Sequence, residues 1–309
     1  MKSSSNGQYP RFSVIENPSD DDMEIVRSGL RDHDKEYPYG ELDIPDKDIC
    51  LALKNADGDV LGGVITSMKT GIMHLEVLWV DDRFRGQGYG RDIVLEAERI
   101  GMLRGYPTSS TWTFSFQAHG FYQAIGYKIL GIFDGYFGDI TEYVLIKKLD
   151  KRRQSLDLDD NRNEIGDPDR LSVCEDYSED SIRTIRQGLG KNFSENVGDI
   201  QKKYPDGEIR LVVKNEYPRI IGGIQAGTIL GTMYIKNLWM DERYRSQGYG
   251  RLLLMEAERI AKESGCISGQ ACVLSFQAVG FFKRLGYVAF GTSDGYPGSI
   301  KEYYLIKRF

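Results

Sequence analysis

The stretch RFRGQGYGR, Arg83 to Arg91, follows the apolar run LEVLWV (75–80) and precedes a segment in which Ile93, Ala97, Ile100 and Leu103 recur at i, i+4, i+7 and i+10. An apolar run, a glycine-rich turn and an amphipathic stripe in that order predict a strand that passes through a tight turn into a helix ending near Gly105. Such a turn exposes backbone N–H groups at a helix N-terminus, where the macrodipole favours an anion. Gly86, Gly88 and Gly90 carry no β-carbon to hold a phosphate away, and Arg85 and Arg91 add charge-assisted donors. A diphosphate fits this description. The spacing is neither GxxxxGK[ST] nor GxGxxG with an acidic residue about 20 positions on, so a P-loop and a dinucleotide fold lack support. A turn that needs glycine for geometry alone has the same local sequence, and the surroundings must decide between the two readings.

The surroundings repeat. RYRSQGYGR, Arg243 to Arg251, restates the turn, and Leu51 to Leu149 maps onto Leu211 to Phe309 with a constant shift and no gap. In the last three quarters of that stretch about half of the pairs are identical, far beyond the length of a solenoid unit. LWVDDRFRGQGYGR matches LWMDERYRSQGYGR, SFQAHGFYQAIGY matches SFQAVGFFKRLGY, and at the front IVRSGL matches TIRQGL. Duplicated domains are therefore expected at 1–150 and 170–309, joined by a charged linker at 151–169 that is poor in apolar residues. Within one copy the pattern reads strands, helix, strand, helix, strands: an α/β fold layered around one sheet, with a hairpin turn at Asp57 and Gly58. The 309 residues suffice for two cores, and no run of about 18 apolar residues or secretory h-region is present, so a cytoplasmic protein without membrane contact is expected. Four cysteines without metal-ligand spacing and three histidines argue against a metal site. A formal net charge of -6 argues against a nucleic-acid partner and would steer cationic partners towards the protein.

Arg85-x-x-Gly88-x-Gly90 and Arg245-x-x-Gly248-x-Gly250 resemble the R/Q-x-x-G-x-G/A motif of the GNAT superfamily of N-acetyltransferases. Ala118-x-x-Phe121-Tyr122-x-x-x-Gly126-Tyr127 and Ala278-x-x-Phe281-Phe282-x-x-x-Gly286-Tyr287 resemble its second motif. The resemblance implies an α+β arrangement of two consecutive domains, each a mixed, largely antiparallel sheet flanked by helices, with one acetyl-CoA (coenzyme A) site per half. It places the pyrophosphate on the amides of Arg85, Gly86, Gln87, Gly88, Tyr89, Gly90 and Arg91. In the second half the matching residues are Arg245, Ser246, Gln247, Gly248, Tyr249, Gly250 and Arg251. It places the pantetheine between two splayed strands, on main-chain groups of Leu78, Val80, Leu238 and Met240. Ser115 and Ser275 stand where the family often has a contacting asparagine.

Acetylating an amine of pKa near 10.4 at pH 7 needs a base, because only about one molecule in a thousand or fewer is nucleophilic. It also needs donors for the developing oxyanion and a hydroxyl near the departing sulfur. Glu76 is the expected base, acting through water, and Tyr122 the general acid that the resemblance implies. Lys236 and Phe282 stand at these positions in the second half, which points to the first half as catalyst. The alternatives are a second half that binds CoA or a partner without catalysis, one that works through another tyrosine such as Tyr296 or Tyr303, and a copy that only covers an apolar surface. The acceptor is then an amine-bearing small molecule or a protein lysine, and the chain an internal pseudo-dimer and monomer. Acceptor selectivity is expected in the front segments DHDKEYPYGELDIPDKD (32–48) and KNFSENVGDIQKKYPDGE (191–208). His119 reads as a surface residue, and Trp79 and Trp239 as packing.

Overall fold

The structure, a computed structural model, describes residues 12–35, 47–69, 71–150, 171–217, 219–296 and 299–309. Most of the 32–48 segment and the expected linker lie outside the described residues. In chain order, β1 (Ser13–Glu16) and α1 (Asp20–Lys35) lead to β2 (Cys50–Lys54), β3 (Val60–Lys69), β4 (Ile72–Val80) and α2 (Tyr89–Leu103). Then follow β5 (Thr108–Phe114), α3 (His119–Ala124), β6 (Lys128–Phe133) and β7 (Glu142–Lys148). The second half repeats this as β8 (Ser172–Glu175), α4 (Glu179–Lys203), β9 (Gly207–Lys214), β10 (Ile220–Ile229), β11 (Thr232–Met240) and α5 (Tyr249–Glu263). It closes with β12 (Ser268–Leu274), α6 (Val279–Arg284), β13 (Val288–Ser293) and β14 (Glu302–Arg308).

These strands form two mixed sheets of seven, antiparallel throughout except at β4–β5 and β11–β12. Their membership crosses the midpoint of the chain. One sheet is ordered β6-β7-β5-β4-β3-β2-β8 and the other β1-β9-β10-β11-β12-β14-β13, so each takes its edge strand from the opposite half. Leu51 pairs with Glu175, and Ser13 with Lys214. The helices follow their strands: α4 packs across β3 and β4, and α1 across β10 and β11.

Small residues make this crossing possible. A β-carbon on Gly63 would lie 2.3 Å from Ile185 Cδ1, and one on Gly223 would lie 2.5 Å from Val26 Cγ2. On the helix side, Gly188 meets the Trp79 indole and Gly29 that of Trp239, with hypothetical β-carbons 2.1 and 2.2 Å from Cε2. Burying Ile185, Met23 and Val26 in these contacts stabilises each docking by roughly 1.5–3 kcal/mol per side chain. Ion pairs add register: Asp22 accepts from Lys214 at 2.9 Å, and Asp176 pairs with Lys54 at 2.5 Å.

Loops interlock the halves further. Thr232 and Ser268 donate their hydroxyls to the Gly135 carbonyl at 3.0 and 2.7 Å, and Thr108 donates to that of Gly295 at 2.8 Å. Phe133, Tyr136 and Ile140 of the first half share a core with Val197, Leu230 and Ile306 of the second. Within α2, Ile93, Ala97 and Ile100 are buried as the stripe predicts, and Gly105 takes a left-handed φ of 95° just beyond the helix end. Leu103 departs from expectation with 73% exposure, because Ile100 and Gly101 supply the buried face of the last turn, Gly101 against Met73 Sδ. No helix among the described residues is long and apolar enough to cross a membrane.

Candidate active site

Strands β4 and β5 are paired from Met73 with Ser109 to Leu75 with Thr111, and then part. The Thr111 hydroxyl donates to the Leu75 carbonyl at 3.1 Å on the last rung. On the other edge of β4 the register slips: Ile65 faces Val77 and Thr66 faces Leu75, which leaves Glu76 as the extra residue of a β-bulge. The bulge and the parting open a cavity of about 620 Å³. Glu76, Leu78, Val80, Arg85, Gly86, Gly88, Gly90, Arg91 and Tyr122 all line it. The structure therefore gathers most of the first half's expected site into one cleft.

The glycine turn has the form an anion needs. A single 3₁₀ turn, Asp82–Phe84, carries the chain to Gly88, the N-cap of α2, which has a left-handed φ of 91° and offers no side-chain cap to the first-turn N–H groups. Gly86 has a φ of 73°, and the space where its β-carbon would stand is empty to 4 Å; a β-carbon on Gly90 would make only ordinary contacts, with the Phe121 ring at 3.7 Å and Val80 Cγ2 at 3.8 Å. A helix N-terminus left uncapped and uncrowded on a cleft fits the diphosphate of coenzyme A. Arg85 and Gln87 shape the turn instead of standing free. Arg85 Nε donates to the Val80 carbonyl at 2.9 Å and its guanidinium pairs with Asp82 at 2.7 Å, while Gln87 Nε2 donates to the Arg83 carbonyl at 3.0 Å.

The Glu76 carboxylate is exposed to the cleft and accepts from the Ser67 hydroxyl. Tyr122 is 7% exposed and set edge-on to Phe121 and Tyr127. Burial pushes its pKa up to about 12, so the phenol keeps its proton across the neutral range. Ser115 does not line the cavity; its hydroxyl accepts from the Thr141 N–H at 3.2 Å and ties the end of β5 to β7. His119 stacks on Tyr143 with centroids 4.4 Å apart and also stays outside the cavity lining. The sequence reading missed Thr113, Phe116 and Gln117, and it missed Leu189 and Asn192, which enter this cleft from α4. The SFQ run (115–117) held the signal for Phe116 and Gln117; nothing local held one for Leu189 and Asn192.

The second half keeps the frame and changes the chemistry. Strands β11 and β12 pair from Thr232 with Ser268 to Ile235 with Ala271, and Lys236 is the bulge residue. Lys236 lies 3.5 Å from Glu208, which also accepts from Gln225 Nε2 at 2.8 Å. Gly248 repeats the left-handed N-cap, Ser246 holds a φ of 60°, and Arg245 and Gln247 repeat the turn contacts to Met240 and Arg243. Leu238, Tyr249 and Phe281 pack partly buried against the second core, where Phe282 is buried without a hydroxyl; Gly250 and Arg251 form the first turn of α5. Ser275 accepts from the Lys301 N–H at 3.2 Å, as Ser115 does from Thr141. Tyr296 is buried in the seam with Ile72 and Leu274, and Tyr303 packs partly buried beneath Lys283.

The acetyltransferase (GNAT) family model matches residues 19–127 and 172–287. A blasticidin-S acetyltransferase of Streptomyces morookaense is 36% identical over 93 residues, covering 30% of this chain and 68% of that protein. Acetyltransferase Atu2258 of Agrobacterium fabrum is 26% identical over 102 residues, covering 33% of this chain and 74% of that protein. A crystal structure of an acetyltransferase from Bacillus cereus ATCC 14579 is 34% identical with a TM-score of 0.41, spanning 44% of this chain and 96% of that one. Both family matches run on through the front helices, so the element order is kept along the chain while it is crossed in space. With two family matches over most of its length, the chain belongs to the acetyltransferase (GNAT) family and has acetyl-CoA as its cofactor.

Proposed function

We propose that the chain transfers an acetyl group from acetyl-CoA to a primary amine, on a small molecule or a protein lysine, by direct attack in a ternary complex, with the first half as catalyst. The observation that carries this reading is the presence of Glu76 and Tyr122 on one cleft with the uncapped N-terminus of α2. The amides of Gly86 to Arg91 would hold the pyrophosphate, and Leu78 and Val80 would flank the pantetheine. Bound acetyl-CoA supplies a thioester carbonyl that an amine can attack. Glu76, through a water, takes the proton that keeps an amine of pKa near 10.4 from reacting at pH 7. The edge of β4 beyond Leu75, without a β5 partner, offers N–H groups to the charge developing on the carbonyl oxygen. Tyr122 donates to the sulfur as it leaves. The name of the blasticidin-S relative supports a small-molecule acceptor.

A second reading belongs to the second half alone. Phe282 cannot donate a proton, and Lys236 in place of Glu76 repels a cationic amine, so this half binds the cofactor or a partner without transfer. The test is calorimetric titration of acetyl-CoA, with thiol release as the assay of turnover, on the intact protein and on folded Gly88→Glu and Gly248→Glu variants. Turnover that survives Gly248→Glu and vanishes with Gly88→Glu is the expected result. The reverse pattern makes the second half the catalyst.

A further inference from the structure

The first cleft is not completed by the first half. Of the residues that line it, Leu189 and Asn192 come from α4, beyond the midpoint of the chain. The next residue along α4, Phe193, packs its ring 5.7 Å from that of Phe116, a lining residue, and 5.8 Å from that of Phe114. Helix α4 thus supplies one wall of the cleft and braces another. At the opposite site the roles are exchanged: Asp34 of α1 accepts from Gln277 Nε2 at 3.0 Å, where Gln277 matches the cleft-lining Gln117. Along the matched helices Leu30 corresponds to Leu189, His33 to Asn192 and Asp34 to Phe193. The matched positions therefore receive different residues from the opposite half, Asn192 and Phe193 beside the first cleft and Asp34 on Gln277 in the second half.

From this juxtaposition we infer that acceptor selectivity at the first cleft is set by the second half of the chain, and that Leu189, Asn192 and the Phe193-braced Phe116 fit this cleft to a primary amine carried on an aromatic body. This rests on the reading of the first half as an amine acetyltransferase and adds to it the class of acceptor. The physical basis is the division of the lining. Trp112, Phe116 and Leu189 present apolar surface that suits a flat ring, whereas Glu76 and Asn192, among the polar residues of the same lining, suit the amine end. An aliphatic amine of similar charge would engage Glu76 but leave the aromatic wall unused.

The experiment keeps the full chain and isolates the first cleft with Gly248→Glu. Thiol release is followed with 2-phenylethylamine and n-butylamine as acceptors, and binding of each amine and of acetyl-CoA is followed by calorimetry. The expected result is a preference of at least tenfold in kcat/KM for 2-phenylethylamine. Leu189→Gln and Asn192→Ala, each separately, should reduce that preference at least fivefold, mainly through KM, with acetyl-CoA affinity unchanged. Leu30→Gln and His33→Ala, at the matched positions of α1, should leave it alone. If the α1 variants shift the preference and the α4 variants do not, selectivity lies within each half and the inference fails. If Gly248→Glu has no turnover while Gly88→Glu does, the catalyst has been misassigned; amine binding to the first cleft, read by calorimetry, must then still respond to the α4 variants alone. Absence of both turnover and binding for 2-phenylethylamine overturns the acceptor class.

Discussion

Glu76 owes its position to a missing partner. A strand residue opposite a regular neighbour stands over one face of the sheet, but the bulge at Glu76 re-aims its side chain where β4 and β5 part. Replacing it with glutamine keeps size and polarity and removes the base. We expect Glu76→Gln to lower kcat/KM at pH 7 by about 10²-fold, with the deficit closing as pH rises towards 10, where the amine is already free base. Tyr122→Phe should lower kcat by about 10²-fold while acetyl-CoA affinity holds, because the ring packs on Phe121 and Tyr127 with or without its hydroxyl. Thiol release across pH checks the first and calorimetry beside it the second; a deficit independent of pH would remove Glu76 from the proton path. Both positions were legible in the sequence, one as a lone acid on an apolar strand and the other through a motif. The bulge was not, since register depends on the partner strand. The role of Ser115 was not either, since a serine hydroxyl that bonds a distant N–H looks no different along the chain from one that faces a ligand.

Among the elements, α4 has the least predictable place. Its apolar positions declare a helix with one buried face, but the same pattern serves whether the helix covers its own half or the other. Because Leu51 to Leu149 matches Leu211 to Phe309 without a gap, the two halves offer equivalent sheet surfaces and both placements satisfy it. The discriminating contact is Gly188 against Trp79, together with its mirror, Gly29 against Trp239. The sequence reads both tryptophans as packing, and the structure adds that the surface packed on them comes from the opposite half. A methyl group at Gly188 would sit 2.1 Å from the indole, so Gly188→Ala should destabilise the protein by about 1–3 kcal/mol through overpacking. Gly190→Ala, two residues on, where a β-carbon meets nothing within 4 Å, should stabilise it by about 0.5–1 kcal/mol through helix propensity. Chemical denaturation of the pair separates docking from propensity; equal shifts in both variants would mean that α4 does not seat on Trp79.

At the scale of the molecule the contacts come in reciprocal pairs: β8 on β2 with β1 on β9, Ile185 over Gly63 with Val26 over Gly223, Gly135 against β11 and β12 with Gly295 against β5. Two copies related in this way form an isologous interface inside one chain, and neither sheet is complete without its partner half. The duplication and the pattern of strands were legible because identity along the chain reports them directly; the exchange was not, because it is a choice between equivalent surfaces. Reciprocity breaks at a buried carboxylate in the seam. The Glu142 carboxylate is buried, accepting from the Tyr136 hydroxyl at 2.9 Å and from Gln270 Nε2 of the other half at 3.1 Å, whereas Ser110, which matches Gln270, turns to His74 Nδ1 at 2.5 Å. Desolvation outweighs both donors and pushes the Glu142 pKa from 4.5 up to about 7. Between those values the folded protein keeps a proton that the unfolded chain has released, so this group lowers stability as pH rises from about 4.5 to 7 and contributes a constant penalty above. Glutamine at this position can accept from the same two donors and carries no charge. Glu142→Gln should therefore match the parent at pH 4 to 5 and exceed it by up to about 3 kcal/mol at pH 8, the interval between the two pKa values at about 1.36 kcal/mol per unit. Urea denaturation of both proteins from pH 5 to 8 reads the difference directly. A difference that does not grow with pH would show that the seam leaves Glu142 enough water to ionise as it does in the unfolded chain.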